Sequence, residues 1–243
     1  MPPASKTQPL VSIVITCYNY GHFLREAIES ALRQSYQSIE LLVVDDGSVD
    51  STGEVARSFG TSVTYHYKTN GGLPGARNFG LARCHGVFVI FLDADDILRS
   101  NYVEKLSIIF LTRDDGKLAF VYTQMELFGT VNSTTDFPDF SVAELREGNY
   151  IHAAAMLRAS VVRQIGYDET LIHGWEDWDL YLSMAERGYY GVLVDEPLLL
   201  YRQHDSLHRA YPKRAEPEYQ AFLQKEIERR HPKLFPAGGC HGD

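Results

Sequence analysis

Residues 87–96 run V-F-V-I-F-L straight into D-A-D-D. Six apolar residues in succession call for a strand buried on both faces, and such strands belong to parallel sheets covered by helices. Three carboxylates, Asp93, Asp95 and Asp96, then fall within four positions where that strand ends. Like charges at that spacing repel by ~1–4 kcal/mol per pair, depending on the local dielectric. A positively charged visitor is expected there.

The chain before this point alternates strand and helix signals. L-V-S-I-V-I-T (10–16) is rich in β-branched residues and follows Pro9. Residues 22–33 repeat Leu24, Ala27, Ile28 and Ala31 at helical spacing. I-E-L-L-V-V (39–44) is a second buried strand, 51–59 a short helix, and V-T-Y-H-Y-K (63–68) a third strand. Beyond Gly71-Gly72 a helix is expected over 74–84, with Pro74 in its first turn. This alternation predicts an α/β fold with a mostly parallel sheet, whose ligands bind beyond the carboxyl ends of the strands. Four such ends carry polar or glycine-rich residues: 16–19, 45–48, 68–72 and 93–96.

The second half is less regular. Asn101 with Glu104, and Ser141 with Glu144, have the spacing of capping boxes, the first opening a helix over 101–112. L-A-F-V-Y-T (118–123) is a strand, 177–187 a helix stopped by Gly188, and 191–194 and 198–201 two short strands. A disordered tail is expected over 1–9, one domain over 10–212, and a helix with a loose tail over 213–243.

Charge and cysteine content restrict the function. A formal net charge of −9 with no basic run argues against nucleic acid. Cys17, Cys84 and Cys240 are odd in number and lack metal-ligand spacing, so they read as free thiols of a reducing, cytoplasmic setting. No apolar run approaches the ~20 residues that span a bilayer, and the N-terminus lacks a signal-peptide core. Any contact with a membrane would be peripheral.

A D-x-D at a buried strand's tip suits a hard divalent cation, since Mg²⁺ takes one or two carboxylates plus substrate phosphates. The alternative is a set of solvated or capping carboxylates. Asp45-Asp46-Gly47-Ser48 reads either as a tight turn or as a carboxylate awaiting a nucleobase imide N–H.

V-S-I-V-I-T-C-Y-N-Y, L-L-V-V-D-D-G-S-V-D-S-T, N-G-G-L-P-G-A-R-N-F-G-L-A and F-L-D-A-D-D occur in an order that resembles family 2 inverting glycosyltransferases. The likeness is close over 10–100 and returns at G-W-E-D-W-D-L-Y-L-S (174–183) and Y-R-Q-H (201–204). It implies a GT-A fold, with a nucleotide-sugar half over 10–100 and an acceptor half over 101–212. It implies that Thr16 and Tyr18 border base and ribose, that Asp46 accepts the base N–H, and that Arg77 contacts base or diphosphate. A surface ion pair is the other reading of Arg77. Asp93 would meet the ribose, Asp95 would ligate Mn²⁺ or Mg²⁺, and His204 would return to that metal or to the diphosphate. Asp96 looks more like a supporting acid or helix cap. Asp177, with Glu176 as substitute, would be the general base that deprotonates an acceptor hydroxyl. The donor implied is a UDP-sugar or a close relative, and the acceptor a carbohydrate, lipid-linked carrier or polymer.

Two rivals stand beside this reading. V-I-F-L-D-A-D-D also resembles the nucleophile motif of haloacid dehalogenase-like phosphatases, though it comes fourth among the strands. A nucleotide- or carbohydrate-binding module without catalysis is the other. A dinucleotide oxidoreductase fits less well, because no G-x-G-x-x-G follows the first strand.

Overall fold

The computed structural model describes residues 8–172, 174–204 and 216–236. Most of the expected N-terminal tail (1–7), His173, the segment 205–215 and residues 237–243 with Cys240 lie outside the described residues.

The first half follows the sequence pattern. Strands β1 (Val11–Cys17), β2 (Ile39–Asp45), β3 (Thr64–Tyr67) and β4 (Phe88–Asp93) pair in parallel in the order β3-β2-β1-β4. Their register aligns Cys17 with Asp45, Thr16 with Asp93 and Asp45 with Tyr67, so the four carboxyl ends share one edge. Side chains alternate between two cores, as a pleated strand requires. Ile13, Ile15, Ile90 and Leu92 face one core with helix α1 (Gly21–Leu32), which buries Leu24, Ala27, Ile28 and Ala31 there. Val14, Val89 and Phe91 face the other core, on the opposite side of the sheet.

Helix α2 (Thr52–Arg57) is shorter than expected, and α3 (Gly72–Leu81) begins and ends earlier. Pro74 is tolerated in α3 because the first N–H groups of a helix have no intrahelical acceptor. Gly80 brings α3 close to the sheet, since a Cβ there would collide with Val14 Cγ1.

The second half corrects several expectations. Strand β5 (Ile97–Leu98) precedes helix α4 (Tyr102–Arg113), whose cap position, Asn101, makes no side-chain capping bond. Glu104 instead accepts from Ser35 Oγ at 2.6 Å. Strand β6 continues well beyond residue 123 (Leu118–Gly129) and pairs with β7 (Ser133–Thr134). Helix α5 (Val142–Glu147) is capped by Ser141, whose side chain accepts from Glu144 N–H. Strand β8 (Met156–Arg158) and helix α6 (Ala159–Ile165) were not expected. β8 joins the sheet antiparallel to both β4 and β6.

After α7 (Glu176–Ala185), the two short strands expected at 191–194 and 198–201 form one, β9 (Tyr190–Gln203). It runs parallel to β6 with register shifts around Gln124. Gln124 holds that irregularity by donating to Asp195 Oδ1 at 3.0 Å and accepting Phe137 N–H at 2.7 Å. β5 pairs antiparallel to β9, bringing residues just beyond Asp96 beside the strand that ends before His204. Helix α8 (Pro217–Arg230) buries Leu223 and Ile227 in the second core. No described helix is long and apolar enough to cross a membrane.

Candidate functional site

The four polar strand ends meet. Asn19, with φ of 57°, turns the chain out of β1, a conformation asparagine adopts more readily than most residues. Its N–H donates to Ser48 Oγ at 2.9 Å, and its Oδ1 accepts Val49 N–H at 2.9 Å. Asp45 accepts Ser48 N–H at 2.8 Å and the Tyr65 hydroxyl at 2.7 Å, so it is spent on local structure. Asp46, also buried, is paired with Lys68 Nζ and accepts Gly71 N–H at 3.0 Å through the same Oδ1. Thr16 Oγ1 lies 3.4 Å from Asp93 Oδ1, and Tyr18 stands half exposed at the rim.

The three aspartates have different fates. Asp93 accepts from Arg77 Nη2 at 3.2 Å. Asp96 is fully buried and accepts Arg202 N–H at 3.0 Å. Burial, reinforced by the charges of Asp95 and Asp93, pushes its carboxyl well above the usual carboxylate range. Asp95 is raised for the same reasons, burial first and Asp93 second, while His204 acts in the opposite direction. Asp95 Oδ2 and His204 Nε2 are 2.9 Å apart.

The Arg202 guanidinium lies between Phe23 and Phe128, and its Nε donates to the Asp95 carbonyl at 2.8 Å. The positive charge expected beside this cluster is thus partly built in, through Arg77 and Arg202. Neither guanidinium bonds to the Asp95 carboxylate, whose described side-chain partner is His204.

Arg77 departs from one of the two readings offered for it, the surface ion pair. It is 1% exposed, so it is no surface ion pair, and its guanidinium is engaged by protein carboxylates. Nη1 donates to Glu176 Oε1 at 2.8 Å, opposite the bond from Nη2 to Asp93. Burial works against the cation, but Asp93, Glu176 and Asp177 together hold it firmly protonated. A buried arginine with two carboxylates avoids the penalty of an unpaired charge.

Glu176 and Asp177 open α7. Trp175 before them adopts a left-handed backbone, φ 69° and ψ 9°. For a bulky residue that conformation costs ~1–3 kcal/mol and persists only where its surroundings demand it. Trp178 is buried and anchored by its indole N–H to Leu145 O at 2.7 Å. Glu176 is 3% exposed, whereas Asp177 is half-buried, with Oδ1 accepting Trp178 N–H at 2.8 Å.

The structure therefore brings Thr16, Asp93, Arg77 and Glu176-Asp177 into one connected group, with Asp95 and His204 adjoining. Asp46 lies at the neighbouring strand end. Sequence reasoning gave no role to Lys68 or Arg202, although both stand in motifs it singled out. Among the described residues no three His, Cys, Asp or Glu side chains are arranged to hold a metal. Asp95 and His204 supply a pair, which fits a hard cation that draws its other ligands from a bound diphosphate and water. The two described cysteines are buried free thiols, and burial pushes Cys17 up to about 12.

Comparison with known proteins gives the family and the fold. The glycosyl transferase family 2 model matches residues 12–166. An uncharacterized glycosyltransferase of Rickettsia typhi is 36% identical over 213 residues, covering 82% of this chain and 65% of that protein. The chain thus spans just under two thirds of this relative. Among solved structures, Staphylococcus aureus TarS 1-349 in complex with UDP-GlcNAc is similar with TM-score 0.72 at 16% identity, covering 93% of this chain and 71% of that one. The mannosyltransferase PcManGT of Pyrobaculum calidifontis, in complex with GDP-Man and Mn²⁺, has TM-score 0.65 at 17% identity, covering 95% and 73%. The fold is the GT-A arrangement.

Proposed function

Since this chain belongs to glycosyl transferase family 2, we propose that it is an inverting glycosyltransferase, moving a sugar from a nucleoside diphosphate sugar to an acceptor hydroxyl. The observation that carries this reading is the Arg77 bridge, which ties Asp93 at the donor edge to the Glu176-Asp177 turn. A donor and a base must be held in register for in-line attack, and small misplacements cost large factors in rate.

Asp46 takes the imide N–H of the base. Its Oδ1 is engaged by Lys68 and Gly71, which reserves Oδ2 for that role. TarS is described with UDP-GlcNAc and PcManGT with GDP-Man, and uracil and guanine both present this donor. A UDP-sugar is the donor we favour. Thr16 and Tyr18 border the nucleoside, and Asp93 receives the ribose. Asp95 and His204 would hold Mn²⁺ or Mg²⁺, which when bound supplies the charge that neutralises the departing diphosphate.

Asp177 accepts the proton of the acceptor hydroxyl as that oxygen attacks the anomeric carbon from the face opposite the leaving group. Configuration therefore inverts. Asp177 is preferred to Glu176 because the latter is buried and committed to Arg77. Residues 10–100 form the donor half and 101–212 the acceptor half, and the buried thiols of Cys17 and Cys84 suit the cytoplasm.

A hydrolysis screen across UDP-, GDP- and dTDP-sugars, with and without Mn²⁺, tests this without an acceptor. Metal-dependent release of UDP is expected. Turnover of phosphomonoesters with no response to sugar nucleotides would favour the phosphatase reading instead.

A further inference from the structure

Arg202 takes no part in the chemistry proposed above, yet it is tied to both members of the Asp95–His204 pair. Its backbone N–H donates to Asp96 Oδ1 at 3.0 Å, and its Nε donates to the Asp95 carbonyl at 2.8 Å. His204 follows shortly after it in the chain, with Nε2 2.9 Å from Asp95 Oδ2. We infer that Arg202 is a positioning residue for divalent-cation binding: it ligates nothing, and it holds the Asp95 carboxylate and the His204 imidazole in one fixed arrangement. The inference rests on the metal reading above and goes beyond it, because it assigns part of the ion's affinity to a residue whose charge repels the ion.

The sheet register shows why such a residue is needed. β5 pairs with β9 through Ile97 with Leu200 and Leu98 with Leu199. Continued in the same register, that ladder would set Asp95 opposite Arg202. It stops at Ile97, so the strands' own N–H and C=O groups no longer fix the spacing where the two ligands stand. Arg202 takes over from the ladder with one backbone bond and one side-chain bond, both donated to the aspartate segment.

The guanidinium is itself held on its other sides. Its carbon lies 4.7 Å from the Phe23 ring centroid and 4.5 Å from that of Phe128, and Nη2 donates to Glu26 Oε2 at 2.6 Å. Phe23 also packs on the His204 ring, centroids 5.0 Å apart, and Tyr20 does so at 5.6 Å. One side chain of α1 therefore touches both the arginine and the imidazole. A planar guanidinium offers its donors in a rigid fork, serving Asp95 and Glu26 at once while its faces stack on aromatic rings. A lysine ammonium has no such plane. Groups bonded to metal ligands, and not to the metal, change affinity by a factor of about 10–100 when they are removed.

Charge and position predict opposite signs. A guanidinium beside the ligands repels a divalent cation, so if Arg202 acted through its charge alone, its loss would tighten metal binding. Acting through position, its loss weakens binding. Paramagnetic resonance of Mn²⁺, in which the bound ion loses the sharp signal of the free one, measures this on the full chain with saturating UDP. Mn²⁺ affinity is expected to fall about tenfold both in Arg202→Lys, which keeps the charge, and in Arg202→Met, which removes it. Affinity for UDP titrated to millimolar in EDTA is expected to match the wild type. Arg202→Lys carries the test alone if the methionine variant does not fold. Unchanged or tighter Mn²⁺ binding would overturn the inference. Weaker UDP binding in EDTA would do so too, by placing Arg202 on the diphosphate. Either result leaves the metal reading standing, provided the wild type silences the Mn²⁺ signal. A wild-type signal left at full height with UDP present removes both.

Discussion

Arg77 Nη1 and Glu176 Oε1 are 2.8 Å apart in the interior, although 99 positions separate the residues in the chain. The same guanidinium reaches Asp93 at 3.2 Å. One buried cation thereby joins the end of β4 to the start of α7, linking the two halves of the proposed site.

Removing that cation takes the Arg77 guanidinium away from a buried carboxylate. Arg77→Ala is expected to lose ~3–5 kcal/mol of stability. Glu176→Gln should lose less, because it keeps an acceptor for Nη1 and removes the charge that needs balancing. Chemical denaturation at neutral pH measures both. An Arg77→Ala protein as stable as wild type would show that the bridge does not form in solution.

Asp177→Asn keeps the shape of the turn and removes the proton acceptor. Transfer is expected to fall by a factor of about 10²–10⁴, with affinity for UDP and Mn²⁺ unchanged. Isothermal titration alongside a transfer assay decides this, and lost nucleotide binding would place the base elsewhere.

Asp95→Ala and His204→Ala act on the other half of the site. Each should weaken the Mn²⁺-dependent stabilisation by UDP, with metal affinity reduced by a factor of about 10–100. EDTA should abolish that stabilisation in the wild type. Thermal shift reads all three, and equal UDP stabilisation with EDTA and with Mn²⁺ would remove the metal from the account.

His152 gives the fold an acid limit independent of the site. Burial lowers its pKa to about 4, whereas the unfolded chain titrates near 6.5. Between those values the unfolded state binds more protons, so stability rises with pH across the window and is complete above about 6.5. The contribution reaches about 3 kcal/mol at neutral pH. His152→Gln should flatten the dependence of unfolding free energy on pH between 4 and 6.5. An unchanged slope in that variant would show that other groups set the limit.

Near-neighbour patterns were sufficient for the donor edge. The apolar runs of β1, β2 and β4, the turn residues after each, and the aspartates at 93, 95 and 96 are local features, and they predicted four strand ends meeting at one edge. Where length and periodicity were weak, prediction failed. β8 has three residues, too few to show a period, and β9 is interrupted by Asp195-Glu196-Pro197, which reads as a turn until Gln124 accommodates it.

The role of Arg77 is another case. Its helix was legible, but its inward direction and its two partners depend on how α3, β4 and α7 pack, which no window of adjacent residues contains. The same is true of the contact between Arg202 and the Asp95 carbonyl, 107 positions apart in the chain. Local order follows from backbone preferences and the spacing of apolar side chains. Partnerships between charges emerge when distant elements exclude water from the space between them.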